Sequence, residues 1–443
     1  MSTPVQPSIL DRYGSLQHIF CCPKTKSSLR LVGIEELLSC VSDAERERIP
    51  EGTIGAFLSA AISRAYPLTE RIADFLEQDS LEIRPLSPGT AATGVPASSL
   101  DDVKRSVKDW YDRFGWEKNE QGTYNDTAIW SQKEPVGNGL YEMMSHLSIL
   151  DRFPGGEFVL DAASGPIAHP EYLAFSWFYK SRVCVDMSRT ALEDAAAKVR
   201  PGDLCCLADI CNLPFRDETF DGAVSGYTIH HVPESQQIPA IRELYRVMRP
   251  SAHLCIITGV TKLRQRGALM FVLRAILKLL RVLRLARPYQ SSSLWTTINQ
   301  PTLEPPHQLY AQVRERAWWK NVASELTDEY SIECLRLLTV FEFNGLYGRS
   351  NRAAKALRRI ESLFPRLAAN MAATCLIDIC KPAGGKSRPL SARADEIPGR
   401  PPASRSSPAA DRDSQVEGSG SSGRDVLVDN QTPTHTRRGS SHG

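Results

Sequence analysis

The sequence has little that would place the chain in a membrane or in a secretory pathway. Its 443 residues contain no run of roughly 18 uncharged apolar side chains, the length of a membrane span. The opening residues, MSTPVQPSILDRYG, show no basic start followed by an apolar run, so we expect no secretory signal. A formal net charge of +2 is too small to indicate general binding to nucleic acid. These absences favour a cytoplasmic globular protein.

Cysteine is present, but not in the spacing of a metal site or of a disulfide framework. Four of the eleven cysteines fall inside predicted core strands: Cys184, Cys205, Cys206 and Cys255. Such positions are typical of reduced thiols that pack as small hydrophobes. Near the N-terminus, Thr25 stands where Cys22 would need its C-x-x-C partner, and neither Cys40 nor His18 restores the spacing around Cys21. We therefore predict no bound metal.

Composition divides the chain into four parts. Residues 384–443 contain no aromatic residue and are rich in Ser, Pro, Gly and Arg, so they cannot bury enough apolar surface to fold. We predict a disordered tail over 383–443. Residues 84–99, rich in Pro, Ser, Gly, Thr and Ala, are predicted to be a linker. This linker separates a small α+β module over 16–83 from a main domain over 100–382.

Five blocks in the main domain follow the order of an α/β fold: VLDAASGP, RVCVDMS, LADICNLPF, ETFDGAVSGYTIHHV and ELYRVMRP. Three apolar runs end on a carboxylate, namely Asp161, Asp186 and Asp209. Buried parallel strands deliver their carboxyl ends to a ligand crevice in this way. Doubly wound folds also place a carboxylate about twenty residues beyond the first loop to bind ribose hydroxyls, which is the position of Asp186. We predict a doubly wound α/β sheet with a ribose site at its strand ends.

The rest of the main domain is predicted to complete this sheet. A fourth strand over 220–224 should bring Ser225, Gly226 and Tyr227 to the same crevice. The elements predicted downstream are a helix over 238–248, a strand over 254–258, a helix over 309–327 and closing strands over 331–343 and 375–382.

Taken in this order, the blocks resemble the core of class I S-adenosylmethionine-dependent methyltransferases. That family usually reads D-x-G-x-G-x-G in its first loop, whereas here only Gly165 remains, with Ala163 and Ile167 in the outer places. Alanine fits if φ is negative at residue 163, and Pro166 with Ile167 predicts a loop of altered shape. A nicotinamide dehydrogenase is disfavoured because the loop lacks G-x-G-x-x-G. The resemblance implies S-adenosylmethionine as cofactor, bound by Asp161, Ala163, Gly165, Asp186, Met187, Asp209, Ile210, Ser225 and Gly226.

The N-terminal module carries a second resemblance. HIFCCPKTKSSLRLV and RAYPLTERIADFL are similar to the zinc-ribbon-like activator protein of tRNA methyltransferases, which is sometimes fused to other methyltransferases. Because the ligand spacing is incomplete, we expect a degenerate module without zinc. It would keep its small fold and serve in packing or in contact with a protein partner.

Methyl transfer from a positively charged sulfur needs mainly orientation and exclusion of water, and a base only where the acceptor must lose a proton. His231 is the predicted catalytic base, with His230 second, because both follow the fourth strand and imidazole titrates near neutral pH. Both could instead make only local hydrogen bonds at a helix entry. Asp161 and Asp209 could likewise serve only as helix caps or turn formers.

Aromatic residues cluster at the start of the main domain: Trp110, Tyr111, Phe114, Trp116 and Tyr124. An aromatic face attracts a sulfonium cation, so the cluster could cover the cofactor or form a wall of the substrate site. It could equally be part of the apolar core, and the sequence leaves both options open.

The segment 262–288 has eight basic residues and no acidic one, interleaved with Leu, Ile, Val and Phe. Its charges interrupt the apolar residues too often for a membrane span, but a basic amphipathic helix can lie in an anionic membrane interface. Alternatively, the segment is a lid that packs its apolar side over the substrate cleft. The two options can coexist if the acceptor is lipid-like.

Two functions fit the sequence. The first is methyl transfer to a small-molecule or lipid-linked acceptor by a cytoplasmic enzyme, with peripheral membrane contact as an option. No D/N-P-P-Y/F motif of amino-group DNA methyltransferases is present, so DNA is not expected as the substrate. The second is a methyltransferase-like scaffold that has lost turnover and binds a protein partner, which Ala163, Ile167 and the degenerate module would fit.

Overall fold

The structure is a computed structural model that describes residues 9–84, 101–131, 136–260, 271 and 306–384. All of these belong to one compact unit, Met1–Leu390. The predicted linker, the basic segment 262–288 and almost all of the predicted tail lie outside the described residues. Within the described part, no helix is both long enough and apolar enough to cross a membrane.

One large sheet runs through this unit. Its strands are β1 (Arg30–Gly33), β2 (Thr53–Ser59), β3 (Arg64–Thr69), β4 (Ala73–Asp74), β5 (Leu81–Glu82), β6 (Gly156–Ala162), β7 (Tyr179–Asp186), β8 (Leu204–Leu207), β9 (Phe220–Gly226), β10 (Met248–Gly259), β11 (Tyr330–Arg336) and β12 (Thr374–Cys380). The order is β1-β2-β3-β4-β8-β7-β6-β9-β10-β12-β11, with β5 beside β3.

Strands β4, β8, β7, β6, β9 and β10 run parallel to one another. At the two ends of this parallel block the pairing is antiparallel: β4 with β3, and β12 with both β10 and β11. The central strands are apolar along most of their length, and in β8 all four residues are buried. Such continuous burial is expected where helices cover both faces of a parallel sheet. Sequence order reverses between β6 and β9, which confirms the predicted doubly wound α/β fold.

The α-helices of the described chain are α1 (Ile9–Ser15), α2 (Ile34–Cys40), α3 (Asp43–Arg46), α4 (Asp102–Trp110), α5 (Asn125–Trp130), α6 (Asn138–Leu147), α7 (Arg189–Ala196), α8 (Gln237–Arg246), α9 (Arg316–Leu326), α10 (Val340–Tyr347), α11 (Asn351–Leu363) and α12 (Pro365–Met371). A π-helical turn, Tyr111–Gly115, follows α4 directly, and Pro170–Ser176 is a 3₁₀ helix.

One predicted closing strand is corrected. Of the residues 331–343, only the first part belongs to β11, and residues from Val340 onward form α10. The cause is a capping box: the Thr339 side chain accepts from the backbone N–H of Glu342, and the Glu342 side chain accepts from that of Thr339. Two satisfied backbone donors favour a helix start over continued extension of the apolar run.

The N-terminal residues form part of the same sheet. The composition of 16–83 and of the linker after it predicts a separate module. In the structure, however, β4 pairs in parallel with β8, and the Phe75 N–H donates to the Leu207 carbonyl at 2.8 Å. Aromatic rings also cross the junction, with Phe20 5.6 Å from Phe215 between ring centroids. Because hydrogen bonds and apolar packing both join the two parts, the module packs as an extension of the main domain.

Cys22, whose C-x-x-C partner is missing, contacts hydroxyl groups. Cys22 is buried, and its Sγ lies 3.6 Å from the Tyr66 hydroxyl. Burial raises the pKa of the Cys22 thiol, but hydrogen bonds with Ser59 and Thr25 outweigh that effect and lower it. These neighbours offer hydroxyl groups rather than the thiolate or imidazole ligands that zinc prefers. The absence of zinc remains a prediction.

Candidate active site

A cavity opens at the carboxyl ends of β6, β7, β8 and β9, beside the point where strand order reverses. This is where doubly wound folds bind ligands. Nine of the ten predicted site residues line it: Asp161, Ala163, Gly165, Asp186, Met187, Asp209, Ile210, Gly226 and His231. Ser225 is the exception. Val224 and Gly226 line the cavity, and side chains alternate along a strand, so Ser225 faces away and its predicted cofactor contact is corrected.

The first loop adopts a glycine-type backbone at two residues that are not glycine. The φ angle is 57° at Ala163, 53° at Gly165 and 51° at Ile167. The condition under which alanine would fit easily, a negative φ at residue 163, is therefore not met. The altered loop shape predicted from Pro166 and Ile167 stays a prediction. A non-glycine residue in this region costs roughly 1–2 kcal/mol. At Ile167 the cost is offset by a side chain that is only 2% exposed.

Asp186 ends β7 with its carboxylate fixed by two backbone donors. The Gly165 N–H donates to Oδ2 at 2.8 Å, and the Ser188 N–H donates to Oδ1 at 2.8 Å. Burial and, to a smaller extent, the charge of Asp112 together raise the pKa of Asp186 to about 6, although these hydrogen bonds lower it. Each carboxylate oxygen can accept more than one hydrogen bond. Asp186 can therefore still receive hydroxyl donors in a defined direction.

Asp161 and Asp209 are both engaged with cations. Asp161 forms a buried ion pair with Arg182, whose Nε also donates to Oδ2 at 3.1 Å. Asp209 forms an ion pair with Lys104 of α4 at 2.5 Å and accepts from the Cys211 N–H at 2.9 Å. Burial lowers the pKa of Lys104, but Asp209 outweighs this effect and raises it. Both aspartates thus have structural partners at the edge of the cavity, beyond the cap and turn roles considered from sequence.

The aromatic cluster divides between cavity wall and core. Tyr111 and Trp116 line the cavity and stack with 4.7 Å between ring centroids. Trp110 and Phe114 are 3% and 1% exposed and belong to the interior. The π-helical turn after α4 causes this division, because one extra residue in the turn redirects the side chains that follow. Both options left open by the sequence are therefore realised, by different residues.

His231 lines the cavity as a neutral imidazole held at both nitrogens. Its Nδ1 lies 2.7 Å from the Tyr310 carbonyl and its Nε2 lies 3.3 Å from the Tyr111 hydroxyl. A carbonyl can only accept, so Nδ1 carries the proton and Nε2 accepts from Tyr111. Burial lowers the pKa of His231 to about 4, which the Tyr310 hydrogen bond only partly offsets. Its predicted role as a base stays a prediction.

Asp126 is a cavity residue that sequence reasoning missed. It lies in the first turn of α5 and lines the cavity with Tyr111 and Trp116. Burial raises its pKa to about 7. Within the described part of the chain no cation pairs with it. A half-buried carboxylate beside two aromatic rings is a suitable environment for a bound cation.

A second missed group lies where β9 ends. Tyr227 and Tyr172 line the cavity, and their hydroxyls lie 3.3 Å and 3.4 Å from Nε2 of His146. Nδ1 of His146 lies 3.0 Å from Oε1 of Glu171, and Nη2 of Arg336 lies 3.4 Å from the Tyr227 hydroxyl. His146 is fully buried. We call these five residues the acceptor-end cluster.

The acceptor-end cluster leaves only weak signals in the sequence, because its members lie in α6, in the 3₁₀ helix, directly after β9 and in β11. Tyr227 was expected near the crevice, but His146 is one histidine within an amphipathic helix pattern, and Arg336 is the last residue of β11, almost two hundred residues later. A buried polar residue on an otherwise apolar face was the available signal.

Comparisons with known proteins agree with this geometry. Residues 160–256 match a family model described as a methyltransferase domain. The chain is 32% identical to the tRNA (carboxymethyluridine(34)-5-O)-methyltransferase of Arabidopsis thaliana over 112 residues, which cover 25% of this chain and 26% of that protein. It is 29% identical to the methyltransferase GfsG of Streptomyces halstedii over 199 residues, covering 41% of this chain and 68% of that protein.

A solved structure of Haemonchus contortus phosphoethanolamine N-methyltransferase 2 with S-adenosyl-L-methionine covers 68% of this chain and 63% of its own, at 16% identity and a TM-score of 0.36. The chain spans about a quarter of the Arabidopsis relative. Over residues 160–256 the resemblance to a methyltransferase domain is confirmed. The resemblance of the N-terminal module to the tRNA methyltransferase activator stays a prediction.

Proposed function

We propose that this protein transfers a methyl group from S-adenosylmethionine to a small-molecule or lipid-linked acceptor. The observation that carries the proposal is the fixed carboxylate of Asp186 at the end of β7, inside the cavity of a methyltransferase domain. Its two backbone donors leave accepting capacity for the ribose hydroxyls. Asp209 and Ile210 border the same cavity and would lie at the adenine.

The cavity also suits the positive charge of the cofactor. Asp126 would pair with the ammonium group, while the stacked Tyr111 and Trp116 would face the sulfonium. At Gly165 a side chain would meet Trp116, because an added Cβ would lie 2.9 Å from that ring. This close contact closes one side of the cavity, so the protein orients the reactants and excludes water.

When bound, the cofactor supplies a methyl group already activated by its charged sulfur. The chain's own residues then position the acceptor against it. The cavity wall near the end of β9 is polar, with Tyr172, Tyr227 and His169 among its residues. A polar acceptor group is therefore expected at this end, whether the rest of the molecule is small or lipid-linked.

Isothermal titration calorimetry with S-adenosylmethionine and S-adenosylhomocysteine tests the proposal. Micromolar binding of both is the expected result, followed by transfer of tritiated methyl groups to metabolites extracted from the source cells. If neither ligand binds to the folded protein, the methyltransferase proposal fails. Binding without any transfer of label would favour the scaffold that has lost turnover.

We further propose peripheral contact with anionic membranes, from a cytoplasmic location. The eight basic residues of 262–288 support it from sequence. Within the described chain, Leu363, Phe364 and Leu367 are 63%, 57% and 60% exposed. Arg359 and Arg366 are exposed close to them in sequence. Apolar side chains next to basic ones suit an anionic interface.

Flotation with vesicles of phosphatidylcholine, alone or mixed with phosphatidylserine, tests membrane contact. The protein should float with the anionic vesicles at low salt and be released by high salt. A variant with serine at 363, 364 and 367 should float less, whereas serine at the exposed Trp177 provides a matched control. No flotation with anionic vesicles at low salt would leave the lid interpretation of 262–288.

A further inference from the structure

The acceptor-end cluster connects a buried carboxylate to the cavity through three hydrogen-bonding groups in series. Glu171 lies 3.0 Å from Nδ1 of His146, and Nε2 of the same ring lies 3.3 Å from the Tyr227 hydroxyl. Only Tyr227, at the end of this series, lines the cavity, while His146 is fully buried behind it. The arrangement is that of a carboxylate orienting an imidazole, which in turn contacts a group that can meet a ligand.

The hydrogen bonds define the resting protonation of the series. An ionised Glu171 can only accept, so Nδ1 of His146 carries the proton and Nε2 has a free lone pair. Burial raises the pKa of Glu171, but the hydrogen bond from His146 outweighs it and lowers it. Burial lowers the pKa of His146, while it raises that of Tyr227 to about 12. The resting state is therefore carboxylate, neutral imidazole and phenol.

Two further observations single out Tyr227 over Tyr172, whose hydroxyl lies at a similar distance from His146. Nη2 of Arg336 lies 3.4 Å from the Tyr227 oxygen and donates to it, so the Tyr227 hydroxyl is left to donate its own proton to His146. Tyr227 also has a φ of 57°, a left-handed backbone that is costly for a tyrosine. Such strain is retained mainly where a side chain must be held for function.

We propose that Tyr227, His146 and Glu171 form a proton relay for a hydroxyl acceptor, which makes this protein an O-methyltransferase. The proposal rests on the methyltransferase function proposed above. As the acceptor oxygen bonds to the methyl carbon, the carbon–sulfur bond breaks and its electron pair remains on sulfur. The acceptor proton passes to the Tyr227 oxygen while the Tyr227 proton passes to Nε2 of His146. The resulting imidazolium is stabilised by Glu171 and later releases its proton to water.

The relay selects for a hydroxyl acceptor on chemical grounds. A neutral hydroxyl is a weak nucleophile, so removal of its proton during attack accelerates the reaction. A neutral amine can attack first and lose its proton afterwards, so it has less need of such a relay. In this scheme Tyr227 is the catalytic residue, and His146 and Glu171 are positioning residues that act through it.

The tautomer of His146 tests the relay without knowledge of the acceptor. In the full chain labelled with ¹⁵N-histidine and loaded with S-adenosylhomocysteine, long-range ¹H–¹⁵N correlation should show Nδ1 protonated and Nε2 unprotonated at pH 7. The signal is assigned by its loss in His146→Gln. A proton on Nε2 would overturn the relay, because that nitrogen could not accept one. If the cofactor still binds in that case, the proposed methyltransferase function survives.

Variants supply the kinetic test. With tritiated S-adenosylmethionine and the cell metabolite extract as acceptor pool, Tyr227→Phe should slow transfer about 100-fold or more while the Kd for the cofactor stays unchanged. Tyr179→Phe is the matched control, because Tyr179 is buried at the start of β7 outside the cavity. Equal rates for the wild type and Tyr227→Phe would overturn the proposal, as would label found on nitrogen or carbon rather than oxygen.

Discussion

The two ends of the cavity are built differently. At the cofactor end, the carboxylates of Asp161, Asp186 and Asp209 lie at the carboxyl ends of three consecutive parallel strands, within about fifty residues. At the acceptor end, His146 and Arg336 come from α6 and β11, which are far apart in sequence. The first end follows from the topology of any doubly wound sheet. The second depends on how this chain folds back on itself, so it is the part that can differ between proteins of one fold.

Charge is balanced differently at the two ends as well. Asp126 and Asp186 face the cavity with raised pKa values, so the cofactor end is ready to bind a cation. At the acceptor end, Arg336 is paired with Glu142 at 2.9 Å, and both side chains are almost fully buried. At the acceptor end the charges of the protein therefore neutralise each other. At the cofactor end a positively charged ligand would supply part of the compensating charge.

The largest expected effect is on stability at the acceptor end. Arg336→Leu leaves Glu142 as a buried, uncompensated charge, and breaking such a pair costs about 3–5 kcal/mol of unfolding free energy. Urea unfolding followed by tryptophan fluorescence measures it. The double variant Glu142→Leu with Arg336→Leu is the control, and should recover much of the loss because both charges are gone. If Arg336→Leu lowers the unfolding free energy by less than about 1 kcal/mol, Arg336 does not compensate the buried charge of Glu142.

At the cofactor end, the main effect should be on binding. Asp186→Ala removes a carboxylate held by two backbone donors, so the affinity for S-adenosylmethionine should fall by about 1.5–3 kcal/mol, roughly 10- to 150-fold in Kd. Calorimetry on the folded variant measures the change. Asp217→Ala alters an exposed carboxylate that pairs with Arg246, and it should bind like the wild type. Unchanged affinity in Asp186→Ala would remove the central support for the proposed function.

The cofactor end of the cavity could be predicted from the sequence better than the acceptor end, because its residues follow the strand topology. Asp161, Asp186 and Asp209 were predictable because each ends an apolar run, and strand ends converge in a parallel sheet. The backbone at Ala163 and Ile167 was not, because no propensity rule places these residue types at positive φ. Ser225 was assigned to the wrong face of the sheet. Side chains alternate between the two faces along a strand, but the sequence alone does not show which face of β9 borders the cavity.

Local sequence patterns also predicted only part of the fold. The parallel strands were predicted from their apolar runs, yet the apolar pattern across Val340 and Phe343 concealed a helix that the Thr339 capping box begins. The joining of β4 to β8 was also missed, because the pairing of an edge strand leaves no mark in the sequence of either partner. Long-range strand pairing and local helix capping therefore account for the main differences between the predicted and the observed fold.

A smaller effect concerns pH at the cofactor end. Asp126 has a pKa of about 7, above the ordinary value of an aspartate. Proton binding at Asp126 therefore stabilises the folded protein at low pH, and this stabilisation is lost as the pH rises through 7. A bound cation reverses this, because it favours the carboxylate. Affinity for S-adenosylmethionine should thus rise between pH 5.5 and 8, by about 1–2 kcal/mol in total.

Calorimetry across this range, with Asp126→Asn in parallel, isolates the contribution of that side chain. The variant should bind less tightly at pH 8 and should lose the upper part of the pH dependence, leaving the rise near pH 6 that Asp186 contributes. Equal pH profiles for the two proteins would assign the ammonium group to another partner. They would also make the cofactor end less dependent on ligand charge than its raised pKa values indicate.

The smallest effect should separate strain from packing within the first loop. Ala163→Gly relieves a φ of 57° while removing one methyl group, so the unfolding free energy should rise by about 0.5–1 kcal/mol. Ile167→Gly is the matched variant, because it relieves a similar φ of 51° but deletes a side chain that is 2% exposed. Its loss of burial outweighs the relief, and the unfolding free energy should fall by about 2–4 kcal/mol. Urea unfolding of both variants gives the two signs. If the unfolding free energy of Ala163→Gly falls instead, the loop tolerates alanine at a positive φ without strain. The Asp186 carboxylate and the buried Ile167 would then be what holds the loop backbone in this conformation.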